Sequence, residues 1–89
     1  MKIKLELYGA SRDFSNKDHL EFEIKEKIEI KDFRKELISY LNKKFKGNKN
    51  FIRLIESSAF CSESNNIIND NYKITKDQKI GIIPPIGGG

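Results

Sequence analysis

The chain has 89 residues, which suffice for one small domain but not for a self-contained enzyme with an enclosed active site. Its net charge is +4, but the basic residues are spread along the sequence, whereas a nucleic-acid reader would concentrate arginines and exposed aromatics on one element. Cys61 is the one cysteine, and no apolar stretch is long enough for a signal peptide or a membrane span, so we expect a cytoplasmic protein with neither nucleic acid nor membrane as a partner.

The first part of the chain has the two-residue period of β-strands. Residues 2–8 alternate charged and apolar side chains, and residues 19–25 do so again. The polar segment between them, residues 9–18, predicts a loop. We therefore expect an antiparallel hairpin with one buried face.

The period then changes to that of an amphipathic helix. Phe33, Leu37 and Leu41 recur every four residues, which predicts a helix over residues 31–45. Gly47 follows at a position suited to a left-handed cap, which would end this helix.

Shorter elements are predicted for the second half of the chain. A short helix begins at Asn50, which we interpret as its N-cap. Residues 59–62 predict an inner strand, residues 67–68 an edge strand and residues 79–83 the last strand.

The order of these elements predicts the fold class. One long helix between the hairpin and the later strands implies a right-handed crossover, which lays the last strand parallel to the first. We expect an α+β protein of the ubiquitin-like β-grasp type, with a mixed sheet packed on one main helix. Residues 1–83 would form this domain, and residues 84–89 a flexible functional tail.

Several side chains that carry chemistry elsewhere are interpreted here as packing. Cys61 reads as a small apolar filler of the inner strand, and His19 has no second histidine with which to bind a metal. Tyr8 and Tyr72 are expected to be half-buried. Periodicity assigns four phenylalanines to the core: Phe22, Phe33, Phe45 and Phe60.

The carboxyl-terminal residues differ from the rest of the chain. Pro84 and Pro85 cannot donate to a ladder, so they end the last strand and direct the chain away from the sheet. Glycines can thread a channel that is too narrow for any side chain. The tail would therefore present the α-carboxylate of Gly89 to a partner. Its other residues are Ile86, Gly87 and Gly88.

This end of the chain resembles the carboxyl-terminal signature of the small subunit of molybdopterin synthase, in the ubiquitin-like sulfur-carrier superfamily. In that family, two apolar residues precede Pro-Pro, an apolar residue, a variable residue and Gly-Gly. The matching residues here are Ile82, Ile83, Pro84, Pro85, Ile86, Gly87, Gly88 and Gly89.

The resemblance implies a specific chemistry for the tail. An activating enzyme would use ATP to adenylate Gly89, which would then become a thiocarboxylate. The segment from Pro84 to Gly88 would insert into the large synthase subunit, where the sulfur passes to cyclic pyranopterin monophosphate. The chain itself would be no enzyme and would bind neither a cofactor nor a metal.

Other interpretations of the same tail remain open. A sulfur carrier for thiazole or cysteine synthesis shares Gly-Gly, although the thiazole branch usually lacks Pro-Pro. A ubiquitin-like protein modifier would use the same activated Gly89 to acylate lysines. If Ile82 or Ile83 faces outward beside Phe60 or Ile67, these residues would form a docking patch for partners.

Overall fold

The computed structural model describes residues 1–85. Seven strands and two α-helices fold into a five-stranded mixed sheet with the main helix on one face, and a second, two-stranded sheet lies beside it. The elements in chain order are β1 (Lys2–Leu7), a 3₁₀ helix (Gly9–Phe14), β2 (His19–Glu23), β3 (Ile28–Glu29), α1 (Ile30–Lys44), α2 (Lys49–Ser57), β4 (Ala59–Cys61), β5 (Ile67–Ile68), β6 (Lys73–Ile74) and β7 (Gln78–Ile83).

The main sheet has the strand order β2-β1-β7-β4-β5. β1 pairs antiparallel with β2 and parallel with β7, as the hairpin and the crossover predicted. β7 therefore lies at the centre of the sheet, between β1 and β4. The prediction of a ubiquitin-like β-grasp arrangement is confirmed in its element order, its parallel first and last strands and its main helix.

Helix α1 packs on the sheet through one stripe of side chains. Phe33, Leu37 and Leu41 are buried at the predicted four-residue spacing. Ile30, about one turn before Phe33, is also buried and extends this stripe toward the beginning of the helix. On the sheet, the inward-facing residues alternate with exposed ones, as the two-residue period requires. The fully buried aromatic and aliphatic side chains are Ile3, Leu5, Phe14, Ile30, Phe33, Leu37, Leu41, Ile55, Phe60, Ile74, Ile80 and Ile82.

Arg34 joins the two helices to the strand connections. Its guanidinium donates to the carbonyl oxygens of Ile55 and Ser58 at 2.6 and 2.8 Å and to a carboxylate oxygen of Asp70 at 3.1 Å. The same group lies 4.8 Å from the ring centroid of Phe60. The end of α2 and the chain before β6 are thereby held against α1, because the planar guanidinium can serve several acceptors at once.

The structure corrects three predictions. The segment between β1 and β2 is a 3₁₀ helix rather than an open loop, because Phe14 inserts fully into the core. Asn48 caps α2, where Asn50 was predicted to do so: its side-chain oxygen accepts from the backbone N–H groups of Asn50 and Phe51. The two-residue strands β3 and β6 were not predicted, because two residues are too few to show a period.

Candidate functional site

The predicted tail begins at the end of the central strand. Ile80 and Ile82 of β7 are completely buried, and the strand ends at Ile83, where Pro84 has no N–H with which to continue the ladder. Pro84 is half-buried and Pro85 is exposed. The tail root, by which we mean Ile83, Pro84 and Pro85, is thus fixed to the middle of the sheet by a strand whose inward-facing residues Ile80 and Ile82 are completely buried.

The tail root also contacts the chain after β1. Gly9 has a φ of +56°, a left-handed conformation that glycine adopts at little cost. A side-chain carbon at Gly9 would lie 3.9 Å from the ring carbons Cγ and Cδ of Pro84, which is van der Waals contact. The first turn of the 3₁₀ helix therefore lies against the point at which the chain leaves the sheet.

The predicted site residues that follow lie outside the described residues. They are Ile86, Gly87, Gly88 and Gly89. Their roles, and the assignment of residues 84–89 to a separate tail, stay predictions.

The outer face of the sheet is apolar beside the tail root. The register places Cys61 opposite Gly81 and opposite Ile67, and places Ala59 opposite Ile83, so their side chains share the face away from α1. Tyr8 and Ile67 are 44% and 66% exposed, and among the described residues they are the large hydrophobic side chains with the greatest exposure. We call the set of Tyr8, Ala59, Cys61, Ile67 and Ile83 the outer patch.

This arrangement answers the question that the sequence left open. Ile82 points inward and is completely buried opposite Phe60, whereas Ile83 is half-buried on the outer face. Of the four residues considered for a docking patch, Ile83 and Ile67 therefore lie on the outer face, whereas Ile82 and Phe60 are buried. The expected half-burial holds for Tyr72 but is wrong for Tyr8, because Tyr8 follows the end of β1 and lies on the outer surface.

Tyr8 lies across Gly81. A side-chain carbon at Gly81 would be 2.8 Å from Cε2 of Tyr8 and 2.6 Å from Sγ of Cys61, so these two groups already occupy the space above the glycine. Cys61 is only 6% exposed for this reason, although its strand position faces outward. The absence of a side chain at position 81 is what allows the outer patch to close over the centre of the sheet.

A hydrogen bond holds the Tyr8 ring in this place. The phenol hydroxyl donates to Oε2 of Glu6 at 3.0 Å, and Oε1 of Glu6 lies 3.8 Å from Nζ of Lys79. The bond to Glu6 raises the pKa of Tyr8 above its ordinary value, and partial burial and the Glu6 charge add to this rise. Tyr8 thus stays neutral and presents its ring to solvent beside the tail root.

Cys61 and His19 do not form a nucleophile pair. Cys61 is on β4 and His19 on β2, three strand spacings apart, or about 14 Å. His19 instead lies between two carboxylates, with Nδ1 2.9 Å from Asp18 and Nε2 3.3 Å from Glu21. Its hydrogen bond lowers the pKa of Asp18.

Within residues 1–85, no group of three or more His, Cys, Asp and Glu side chains could hold a metal ion. An open surface depression lies where β1 begins and β2 ends, far from the tail root, and it is lined by charged residues together with Ile3, Phe22 and Gln78. No helix in this part of the chain is long and apolar enough to cross a membrane.

The described geometry therefore defines a ubiquitin-like β-grasp domain with an apolar outer patch at the root of its last strand. Among solved structures, the chain is similar to a candidate molybdopterin converting factor, subunit 1, from Pyrococcus furiosus, with a TM-score of 0.67 and 16% identity over 96% of this chain and 98% of the other. It is also similar to SAMP1 from Haloferax volcanii, with a TM-score of 0.68 and 11% identity over the full length of both chains. No protein-family model matches the sequence, and no curated protein matches it either.

These similarities confirm the fold that the element order predicted. At 11% and 16% identity they are similarities of backbone path, so the chemistry of the tail has to be argued from the residues of this chain. Two features of the site were missed from the sequence, namely the exposed Tyr8 and its place above Gly81. The pairing of a tyrosine just after one strand with a glycine inside a neighbouring parallel strand is the signal that could have revealed them.

Proposed function

We propose that the chain is a sulfur carrier whose Gly89 carboxylate is activated as an adenylate and converted to a thiocarboxylate. The observation that carries this proposal is the tail root: the central strand of a β-grasp sheet, anchored by the completely buried Ile80 and Ile82, runs directly into Pro84 and Pro85, and three glycines follow after Ile86. A terminus attached in this way would be presented at a fixed position by a rigid domain. Separation of β7 from the sheet would expose Ile80 and Ile82 to water, which is energetically unfavourable.

The chemistry needs no side chain of this protein. A carboxylate oxygen of Gly89 attacks the α-phosphorus of ATP, pyrophosphate leaves, and a mixed anhydride with AMP remains. A sulfide equivalent then attacks the carbonyl carbon and AMP leaves, so that one oxygen of the carboxylate has been replaced by sulfur. The activating enzyme supplies the nucleotide site and the electrophilic assistance. The role of this chain is to deliver the reacting atom.

The length of the tail would allow the carboxylate of Gly89 to enter a partner's active site at a distance from the domain. Six residues follow Ile83, and a fully extended chain of that length spans at most about 20 Å. That distance would take the carboxylate of Gly89 into a buried active site while the sheet stays outside. The missing side chains of Gly87 and Gly88 would keep such a channel narrow, which helps to exclude water from the anhydride.

The outer patch supports the proposal as a surface for the partner that receives the tail. Ile83 belongs to both the tail root and the patch, so a protein that takes the tail would also meet Tyr8 and Ile67. Tyr8 is an exposed aromatic of the kind that dominates protein interfaces, and Ile67, on the same side of the sheet but three strands away, adds exposed apolar surface.

Within the sulfur carriers we propose the molybdenum cofactor branch. The acceptor would be cyclic pyranopterin monophosphate in the large subunit of molybdopterin synthase, and the chain would act as the small subunit of that complex in the cytoplasm. The motif of Pro84 and Pro85 before the glycines supports this branch, as does the description of the Pyrococcus furiosus structure. Thiazole synthesis, cysteine synthesis and protein modification use the same activated carboxylate and are the alternatives.

A reconstitution with separate acceptors tests this assignment. The thiocarboxylated chain is divided between two reactions, which contain a large synthase subunit with cyclic pyranopterin monophosphate and a thiazole synthase with its substrates. A third reaction contains the unmodified chain, ATP, the activating enzyme and a lysine-rich protein, so that the adenylate of Gly89 can acylate lysines. Formation of the dithiolene in the first reaction alone is the expected result. Sulfur transfer only in the second, or isopeptide formation only in the third, would replace the assigned branch with that alternative.

A further inference from the structure

The connection between α1 and α2 is a basic segment without acidic residues. Between Asn42 and Ile55 the chain carries five cationic side chains and no Asp or Glu. All five are exposed, and none forms an ion pair with another residue of the described part of the chain. They are Lys43, Lys44, Lys46, Lys49 and Arg53, and we call this set the basic hinge.

The backbone of the basic hinge is well determined by its own contacts. Lys46 and Gly47 have φ values of 52° and 75°, and the Gly47 N–H donates to the carbonyl oxygen of Asn42 at 3.0 Å. The rings of Phe45 and Phe51 meet edge to face at 4.9 Å beneath the turn. The five side chains are therefore carried by the end of α1, the turn and the first part of α2, whose backbone is held in place by this packing.

The basic hinge lies at the same end of the molecule as the tail root. Phe14, the last residue of the 3₁₀ helix, contacts Phe51 with 5.1 Å between ring centroids, and its carbonyl oxygen accepts from Nζ of Lys44 at 3.2 Å. Gly9, the first residue of that helix, lies against Pro84. Five rises of a 3₁₀ helix separate Gly9 from Phe14, or about 10 Å. A protein that encloses the tail would therefore face the basic hinge as well.

We propose that the basic hinge is a docking surface for an acidic rim around the tail channel of the activating enzyme. This inference rests on the proposed function, which requires such an enzyme. The 3₁₀ helix of about 10 Å, with the contacts at its two ends, joins the tail root to the hinge. Carboxylates on a rim that extends over this helix would come close to the hinge, and opposite charges within about a Debye length attract each other during encounter. The attraction would guide the tail into the channel and would leave the chemistry at Gly89 unchanged.

The composition of the basic hinge favours a protein over a nucleic acid as its partner. Four of the five cations are lysines, whereas recognition of RNA bases relies on stacking by arginines and exposed aromatics. The aromatics of this segment, Phe45 and Phe51, pack against each other and are half-buried. A surface with charge but no stacking platform suits carboxylates.

A pair of charge reversals tests the proposal. The test variant is Lys46→Glu/Lys49→Glu, and the control variant is Lys73→Glu/Lys76→Glu. The control makes the same change of charge at two exposed residues that precede β7. They lie near the beginning of that strand, whereas the tail root lies at its end. The assay measures the steady-state adenylation of each chain by an activating enzyme that accepts the wild type, at low and at high salt. Anisotropy of a labelled, mixed-sequence, single-stranded RNA is measured with the same proteins.

The hinge variant is expected to raise KM about tenfold at low salt with kcat unchanged, and to approach the wild type at high salt. The control variant should stay close to the wild type. Equal KM values for the two variants would overturn the docking surface while leaving the carrier function intact. RNA binding that is lost only in the hinge variant, with KM unchanged, would assign the hinge to nucleic acid. Absence of adenylation of the wild type by any activating enzyme would refute the proposed function, and the docking surface with it.

Discussion

Substitution of Gly81 by alanine tests whether Tyr8 and Cys61 really close over the centre of the sheet. The new methyl group would lie 2.6 Å from Sγ of Cys61 and 2.8 Å from Cε2 of Tyr8, both shorter than any ordinary carbon contact. The Tyr8 ring is exposed enough to swing outward, whereas Cys61 is held within β4. The clash with sulfur should therefore decide the cost.

The expected net loss can be worked out from opposing effects. Overpacking of a filled site costs about 1–3 kcal/mol, and the lower backbone entropy of alanine within a strand returns about 0.5–1 kcal/mol. The Gly81→Ala variant should therefore lose up to about 2.5 kcal/mol, and a loss of 1 kcal/mol corresponds to several degrees of melting temperature in a domain of this size. Chemical denaturation followed by circular dichroism measures this loss.

A double-mutant cycle with Cys61→Ala identifies the cause. Removal of the sulfur atom frees the space that the new methyl group needs, so Gly81→Ala should cost less in the Cys61→Ala background than in the wild type. Equal costs in the two backgrounds would show that the sulfur does not clash. A Gly81→Ala protein that is more stable than the wild type by about 0.5–1 kcal/mol, the gain expected without any clash, would refute the closed arrangement of the outer patch.

Three further predictions concern the core, the cysteine and the pH response. Leu37→Ala should cost about 2–5 kcal/mol, because the side chain is completely buried, and denaturant melts without a loss would refute the packing of α1. Cys61→Ser should keep sulfur transfer while lowering stability, and a folded but inactive variant would place Cys61 in the mechanism. Because the pKa of Tyr8 is raised in the fold, its stabilising effect is present below pH 10 and is lost as the pH rises through the raised pKa. In the absorbance titration of tyrosinate, Glu6→Gln should bring the pKa of Tyr8 back toward its ordinary value, and an unchanged titration would refute the hydrogen bond to Glu6.

The long periodic segments of the sequence predicted the architecture well. The alternation in β1 and β2 and the four-residue stripe of Phe33, Leu37 and Leu41 each report a buried face directly. A chain with one long helix between a β-hairpin and its last strand can adopt few topologies. The order of the elements was therefore enough to predict the parallel pairing of β1 with β7.

The rest of the fold depends on contacts between distant residues. Asn48 and Asn50 are equally suited to cap a helix, and the packing of Phe51 on Phe14 decides between them. Phe14 itself lies in a polar segment without a period, so its complete burial could not be predicted from its neighbours.

The candidate site also has one part that the sequence predicts and another part that depends on contacts between distant residues. Its chemical part is a local motif that begins at Pro84 and can be read from the sequence, although its last four residues lie outside the described part of the chain. Its surface part is not local. Tyr8, Ile67 and Ile83 come from three segments, and only the strand register brings them to one face.

The length of the tail provides the most direct test of the sulfur-carrier proposal. Deletion of Gly89 keeps a terminal carboxylate but draws it back by one residue, about 3.3–3.6 Å in an extended chain. Such a displacement should block attack on ATP, because reaction requires near-contact geometry. The melting temperature should not change, because the core residues of β7 are untouched.

Intact-protein mass spectrometry follows the reaction after incubation with ATP, an activating enzyme and a sulfide source. We expect the wild type to exchange one oxygen for sulfur, whereas the protein without Gly89 and a protein extended by one residue after Gly89 should not. Equal conversion of all three proteins would contradict the assignment of the chemistry to the carboxylate of Gly89.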